Sequence, residues 1–166
     1  YPEPGIAPLN LAQFEGTSIN ELVDAVDANY GELHGLVHNA ALLGDRVPLA
    51  HYDTATWHRV MQVNVNAVFV LTRALMPALE RAGDSSLIFT SSGVGKTPRA
   101  YWGAYSVSKY ALEGMATLLA DELENVSATR SNILNPGATR TGMRAAAYPN
   151  EDPATLKTPE SVLPLY

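Results

Sequence analysis

Ser86-Leu87-Ile88-Phe89-Thr90-Ser91-Ser92 is the stretch on which the fold turns. Three large apolar residues in a row, closed by a serine pair and a glycine, read as a short strand buried on both faces. A loop from Ser92 to about Arg99 then leads into a long helical pattern, roughly Trp102 to Glu124. Working back from Ser86, another long helix is expected over 53–80. Asp53 is its N-cap, Trp57, Val60, Val68 and Leu75 are among its apolar residues, and Pro77 should kink or end it. Before that lies a short strand, Leu36-Val37-His38. Before that again, Ser18-Ile19-Asn20-Glu21 matches a capping box for a helix closed by Gly31. Working forward, a strand near Ala128 to Leu134 runs into the turn Asn135-Pro136-Gly137. Strand and helix alternate throughout, which predicts a layered α/β domain with a mostly parallel sheet. Ile6 to Leu11 is a weak further strand. The polar, proline-punctuated stretch from Gly142 to Pro159 has the composition of a flexible flap.

The composition narrows the classes of function. With 166 residues, 46% of them hydrophobic and 17% charged, the chain can bury a core of about one domain. A net charge of -6, with no basic block, argues against nucleic acid as a partner. No cysteine is present, so thiolate chemistry and zinc–sulfur sites are excluded, and a reducing cytoplasmic setting is expected. The most apolar stretch, Ala67 to Leu79, is broken by Thr72, Arg73 and Pro77, and no membrane association is expected. The first residue is Tyr1 in a proline-rich run. Thr158-Pro159-Glu160 is a helix start signal a few residues before Tyr166. From these features we expect a chain incomplete at both ends.

Tyr105 and Lys109 carry the first chemical signal. Four apart on a helix, they project from one face. A phenol with its ordinary pKa of about 10 is a poor base at neutral pH, and a neighbouring ammonium pulls that value down. Ser92, thirteen residues before Tyr105, stands at the carboxyl end of its strand, where sites form in open parallel sheets. A hydroxyl there can donate to a substrate carbonyl.

Taken together, these residues resemble the short-chain dehydrogenase/reductase family. Asn39-Ala40-Ala41 resembles its Asn-Asn-Ala-Gly motif, and Asn64 in Val63-Asn64-Val65-Asn66 its mid-helix asparagine. Ser92, Tyr105 and Lys109 match its serine and Tyr-x-x-x-Lys. Asn135 to Thr141 resembles its Pro-Gly turn and following threonine. The tracts around Asn64 and around Asn135 to Ala145 are most similar to the bacterial YciK-like oxidoreductases.

The resemblance implies a doubly wound, Rossmann-like parallel sheet forming one NAD(P)-binding domain over 1–166. It implies an oxidoreductase that interconverts a carbonyl and a secondary alcohol with NAD or NADP. Tyr105 would be the general acid/base. Lys109 would lower its pKa and hold the nicotinamide ribose, and Ser92 would orient the carbonyl. Asn64 would bend its helix around a water linked to Lys109. Asn39, Ala40, Pro136, Gly137, Thr139 and Thr141, with Tyr105 and Lys109, would touch the cofactor. A homodimer or homotetramer through helices 53–80 and 102–124 is implied as well.

There are departures from the family pattern. His38 stands where the family has the first Asn, and Ala41 where it has Gly. The family's Thr-Gly-x-x-x-Gly-x-Gly loop matches no stretch of these 166 residues. We therefore expect the stretch to lack the glycine-rich strand-loop-helix and the last strand, and to be inactive by itself.

Other chemistries fit less well. Gly93-Val94-Gly95-Lys96-Thr97 ends like a phosphate-binding loop, but Thr90 stands where the pattern needs Gly, and Pro98 follows. His34 and His38 are separated by a strand boundary, so no metal site is expected. Without Gly-x-Ser-x-Gly, Ser92 has no nucleophile elbow. A sugar-nucleotide epimerase would need a larger C-terminal region. A non-catalytic dinucleotide-binding relative remains the alternative, because a fold alone does not give function. Tyr101, Trp102, Met143 and Tyr148 are candidates for an apolar substrate wall.

Overall fold

The computed structural model describes residue 5, residues 7–13 and residues 16–166. The elements run in order: α1 (Gly16–Asn29), β1 (Gly35–His38), α2 (Thr54–Met61), α3 (Ala67–Arg81), β2 (Ser85–Thr90), α4 (Gly103–Leu123), β3 (Thr129–Leu134) and α5 (Gly142–Ala147). The three strands form one parallel sheet in the order β1-β2-β3. Parallel neighbours need a crossover between them, and here α2–α3 and then α4 supply it. This is the parallel α/β arrangement of a Rossmann-like fold.

Residues alternate across the sheet, so β2 has two different faces. Leu87 and Phe89, both fully buried, meet Val68 and Leu79 of α3 and Leu112 and Ala116 of α4 in one cluster. Burying each of the large side chains contributes about 1.5–3 kcal/mol. The other face is more open: Val37 is 45% exposed and Ile88, its neighbour in register, is half-buried. The strand expected to be buried on both faces is thus closed fully on one, because both α3 and α4 pack against the Leu87 and Phe89 side. At the start of β2 the Ser85 hydroxyl donates to Thr129 Oγ1 at 2.9 Å, a buried polar tie to β3.

Several local expectations change. The helix expected over 53–80 begins as read, with the Asp53 carboxylate accepting from Thr56 N at 2.7 Å. It then widens into a π-turn at Gln62–Asn66 and continues as α3 to Arg81, with Pro77 inside it. Pro77 does not end the helix because Leu75, Ala78 and Leu79 around it are packed into the core. Helix α1 starts at Gly16, so Ser18 lies inside it instead of capping it. Gly31, with φ +73, closes it as expected, its N–H reaching Val26 O at 3.1 Å. Of the weak strand, Ile6 lies outside the described residues and Ala7 to Leu11 form no strand. The stretch read as a flap carries helix α5 and tertiary contacts. Thr141 caps α5 by accepting from Arg144 N, Arg144 pairs with Glu151 at 2.6 Å, and Thr139 bridges to Lys157. Thr158 accepts weakly from Ser161 N at 3.4 Å, and a tight 3-10 helix, Glu160–Leu165, follows. Among the described residues, no helix is long and apolar enough to cross a membrane.

Candidate active site

A cavity of about 430 Å³ opens at the carboxyl edge of the sheet, where β1, β2 and β3 each pass into a loop. From the loop after β1 come Asn39, Ala40, Ala41 and Leu43. Thr90, Ser91 and Ser92 come from the end of β2, and Trp102, Tyr105 and Lys109 from the start of α4. Pro136, Gly137, Thr139 and Thr141 follow β3, and Met143, Arg144 and Ala147 belong to α5. Every residue expected to act in catalysis or to touch the cofactor therefore lines this one space, except Asn64; of the expected substrate wall, Trp102 and Met143 line it and Tyr101 and Tyr148 do not. The turn at Gly137 needs φ +72, a conformation that glycine adopts without strain.

Helix α4 is held against β2 by the loop between them. Ser106 Oγ donates to Val94 O at 2.7 Å, and the Tyr110 hydroxyl to Lys96 O at 2.5 Å. Gly95 explains part of the phosphate-loop look-alike. A Cβ there would lie 3.0 Å from both Lys109 Cβ and Ser91 Oγ, so the glycine lets this loop approach α4. It is a packing residue.

Tyr105 is 7% exposed, and its ring lies 5.8 Å from that of Trp102. Burial raises the phenol above its usual pKa, while a hydrogen bond with the Ser92 side chain pulls it down. Ser92 and Tyr105 both line the same cavity. Lys109 Nζ stands 5.6 Å from the Tyr105 ring centre and donates to Thr90 O at 2.6 Å. Burial lowers the Lys109 pKa to about 8. The expectation that Lys109 would depress Tyr105 needs correcting here. The amine is itself largely stripped of water, its proton is directed to a backbone carbonyl, and desolvation of the phenolate prevails.

Asn64 lies behind the cavity, in the π-turn. Its Oδ1 accepts from Leu42 N at 2.8 Å, and its Nδ2 donates to Leu42 O at 2.9 Å and Ser108 Oγ at 3.0 Å. The carboxamide is fully used in fixing the loop after β1 against α4. His38 supports the same loop from below. Its Nε2 meets Thr72 Oγ1 at 2.8 Å, its ring packs 5.1 Å from Phe89, and burial holds its pKa down to about 4. Of the expected aromatic wall, Trp102, Met143 and Tyr148 gather with Val94 and Ala147, while Tyr101 turns outward, 54% exposed with φ +70.

Residues with no sequence signal also belong to the surroundings. Thr90 gives Lys109 its acceptor. Arg144 stacks 3.8 Å from the Tyr148 ring, and Arg46 lies 4.2 Å over Trp102 while donating to Ala147 O. These partners come from separate loops, and no spacing in the chain marks them.

The nicotinamide half of a dinucleotide suits such a space. The cavity is large enough, a glycine turn forms one side, and a buried amine stands next to a phenol.

Comparison with known proteins agrees with this architecture. The short chain dehydrogenase family model matches residues 7–152. The chain is 49% identical over 158 residues to YciK of Escherichia coli K12, described as an uncharacterized oxidoreductase, covering 95% of this chain and 62% of that protein. A solved short chain dehydrogenase structure from Pseudomonas syringae superposes with a TM-score of 0.97 at 52% identity, over 99% of this chain and 67% of that one. A Shigella flexneri short chain dehydrogenase solved with NADP superposes with a TM-score of 0.91 at 49% identity, over 95% of this chain and 65% of that one. This chain thus spans less than two thirds of YciK. From the family model and this identity, the chain belongs to the short chain dehydrogenase family of oxidoreductases.

Proposed function

We propose that the protein is an NAD(P)-dependent oxidoreductase that interconverts a carbonyl and a secondary alcohol, with Tyr105 as its general acid/base. The observation that carries this is the convergence of Ser92, Tyr105 and Lys109 on one cavity at the sheet edge. A bound nicotinamide cofactor would supply or accept the hydride at the carbonyl carbon. In reduction, Tyr105 gives its phenolic proton to the carbonyl oxygen. Its raised pKa suits that direction, because the group stays protonated at neutral pH. Ser92 donates to the same oxygen and holds it against Tyr105 as negative charge builds. Lys109 supplies a positive charge under the phenol and a donor toward the cofactor's ribose.

Asn39, Ala40, Pro136, Gly137, Thr139 and Thr141 form the walls for the cofactor in this reading, within one dinucleotide-binding domain. NADP is favoured over NAD by the Shigella relative, which was solved with NADP. Asn64 acts from behind, positioning the loop that carries Asn39 and Ala40. A cytoplasmic homodimer or homotetramer is part of the proposal. Phe69, Val107 and Leu118, exposed apolar residues on α3 and α4, support pairing through those helices.

Tyr105→Phe in the whole protein is the decisive test. Carbonyl reduction with NADPH should fall by about 100-fold or more, with NADPH affinity little changed. Wild-type protein that binds NADPH but turns over no member of a ketone and aldehyde panel would favour a non-catalytic dinucleotide-binding relative instead.

A further inference from the structure

Arg46 is the residue that the reading above leaves without a task. It follows the loop of Asn39 and Ala40, and its guanidinium lies 4.2 Å over the Trp102 ring and 5.5 Å from that of Tyr148. One amino group donates to Ala147 O, across 101 residues of sequence. Its Nε is buried and has no acceptor among the described residues. A guanidinium has five N–H donors, so most of this one's capacity is unspent. No carboxylate stands within ion-pair distance of it among the described residues. Arg144, the other arginine at this end, is matched by Glu151.

A latch on α5 would explain the contact with Ala147 and the stacking. It leaves the buried donor unexplained, since an apolar side chain would fill the space between two aromatic rings without that cost. The setting adds a second observation. The charged residues lining the cavity are Lys109 and Arg144, both basic, in a chain of net charge -6. Trp102, over which Arg46 lies, also lines the cavity, 5.8 Å from the Tyr105 ring. Arg46 thus adjoins the cavity through Trp102, next to Arg144, which lines it and is paired with Glu151.

We propose that Arg46 is a specificity residue that grips a carboxylate on the carbonyl substrate, so that the preferred substrates are keto acids with an apolar body. This deepens the carbonyl–alcohol reading and rests on it. The apolar body packs between Trp102, Met143 and Tyr148. The carboxylate accepts from the guanidinium edge, with Arg144 close behind.

The probes are 4-acetylbenzoate and its methyl ester, which share the ketone and differ in the charge. With the whole protein and NADPH, the acid should exceed the ester in kcat/KM by about tenfold or more. In Arg46→Gln that acid-to-ester ratio should fall to about 1, chiefly through KM for the acid, with Arg46→Lys in between. Calorimetry of 4-acetylbenzoate binding to the NADP-loaded protein should show the same loss in Arg46→Gln, and a salt dependence in wild type. An unchanged ratio in Arg46→Gln would overturn the proposal, and so would equal wild-type use of acid and ester. If neither probe is turned over, the carbonyl–alcohol reading fails on these probes. Calorimetry then decides the role of Arg46: binding lost in Arg46→Gln supports it, and absent or unaltered binding overturns it.

Discussion

Asn64 and Ser108, 44 positions apart, are joined by a 3.0 Å hydrogen bond, and Ser108 Oγ donates onward to Tyr105 O at 2.8 Å. The same carboxamide holds both backbone groups of Leu42. One buried side chain thus sets the spacing between the loop after β1 and the helix that carries Tyr105.

Replacing it removes three hydrogen bonds at once in a dry place. Asn64→Leu should lower stability by about 2–4 kcal/mol, because the Leu42 N–H and C=O and the Ser108 hydroxyl lose their partner. Urea unfolding measures this. A loss under about 0.5 kcal/mol would mean that water or a shifted backbone satisfies those groups.

The low pKa of Lys109 gives the proposed reaction a pH dependence. The amine is charged below about pH 8. Carbonyl reduction, which on this reading uses the ammonium, should therefore decline as pH rises through that value. Stability moves the other way. The folded pKa lies below the ordinary 10.5, so the unfolded chain binds more protons between about 8 and 10.5, and stability rises with pH across that window. Lys109→Met should flatten both trends, read from initial rates and from urea midpoints at pH 7 and 9.5.

His38 offers a similar test at acid pH. Burial lowers its pKa from 6.5 to about 4, so the unfolded state holds the extra proton between those values. Wild type should lose up to about 3 kcal/mol as pH falls from 6.5 to 4 through this group alone. His38→Asn keeps a polar side chain near Thr72 and removes the titration. A slope just as steep in that variant would show that other groups drive the acid sensitivity.

Much of the site was legible because its parts sit at strand ends or at helical spacing. Ser92 closes an apolar run, Tyr105 and Lys109 share a helix face, and Gly137 marks a turn. All of them line the cavity. What was hidden depends on distant partners. Thr141 was expected only as a cofactor contact, yet it also caps α5, whose six residues are too few to show a period. Asn64 was visible, but its use against Leu42 and Ser108 was not. Arg46 and Ala147 meet across 101 positions, and no local pattern encodes such a pairing. The Tyr105 pKa is raised by burial, a tertiary quantity that no spacing in the chain encodes. Pro77 gave a strong helix-breaking signal that core packing overrode.

The widened turn at Gln62–Asn66 also works as a phase adjuster. A π-turn absorbs one surplus residue, so Val60 upstream and Val68, Leu75 and Leu79 downstream can all face inward along one rod. Deleting a single residue there should let the rod close into an ordinary helix with both apolar stripes still in step. The carboxamide's aim at Leu42 would be lost. The expected outcome is a chain that still folds, by circular dichroism, but binds NADPH more weakly because the cavity's two walls have lost their alignment.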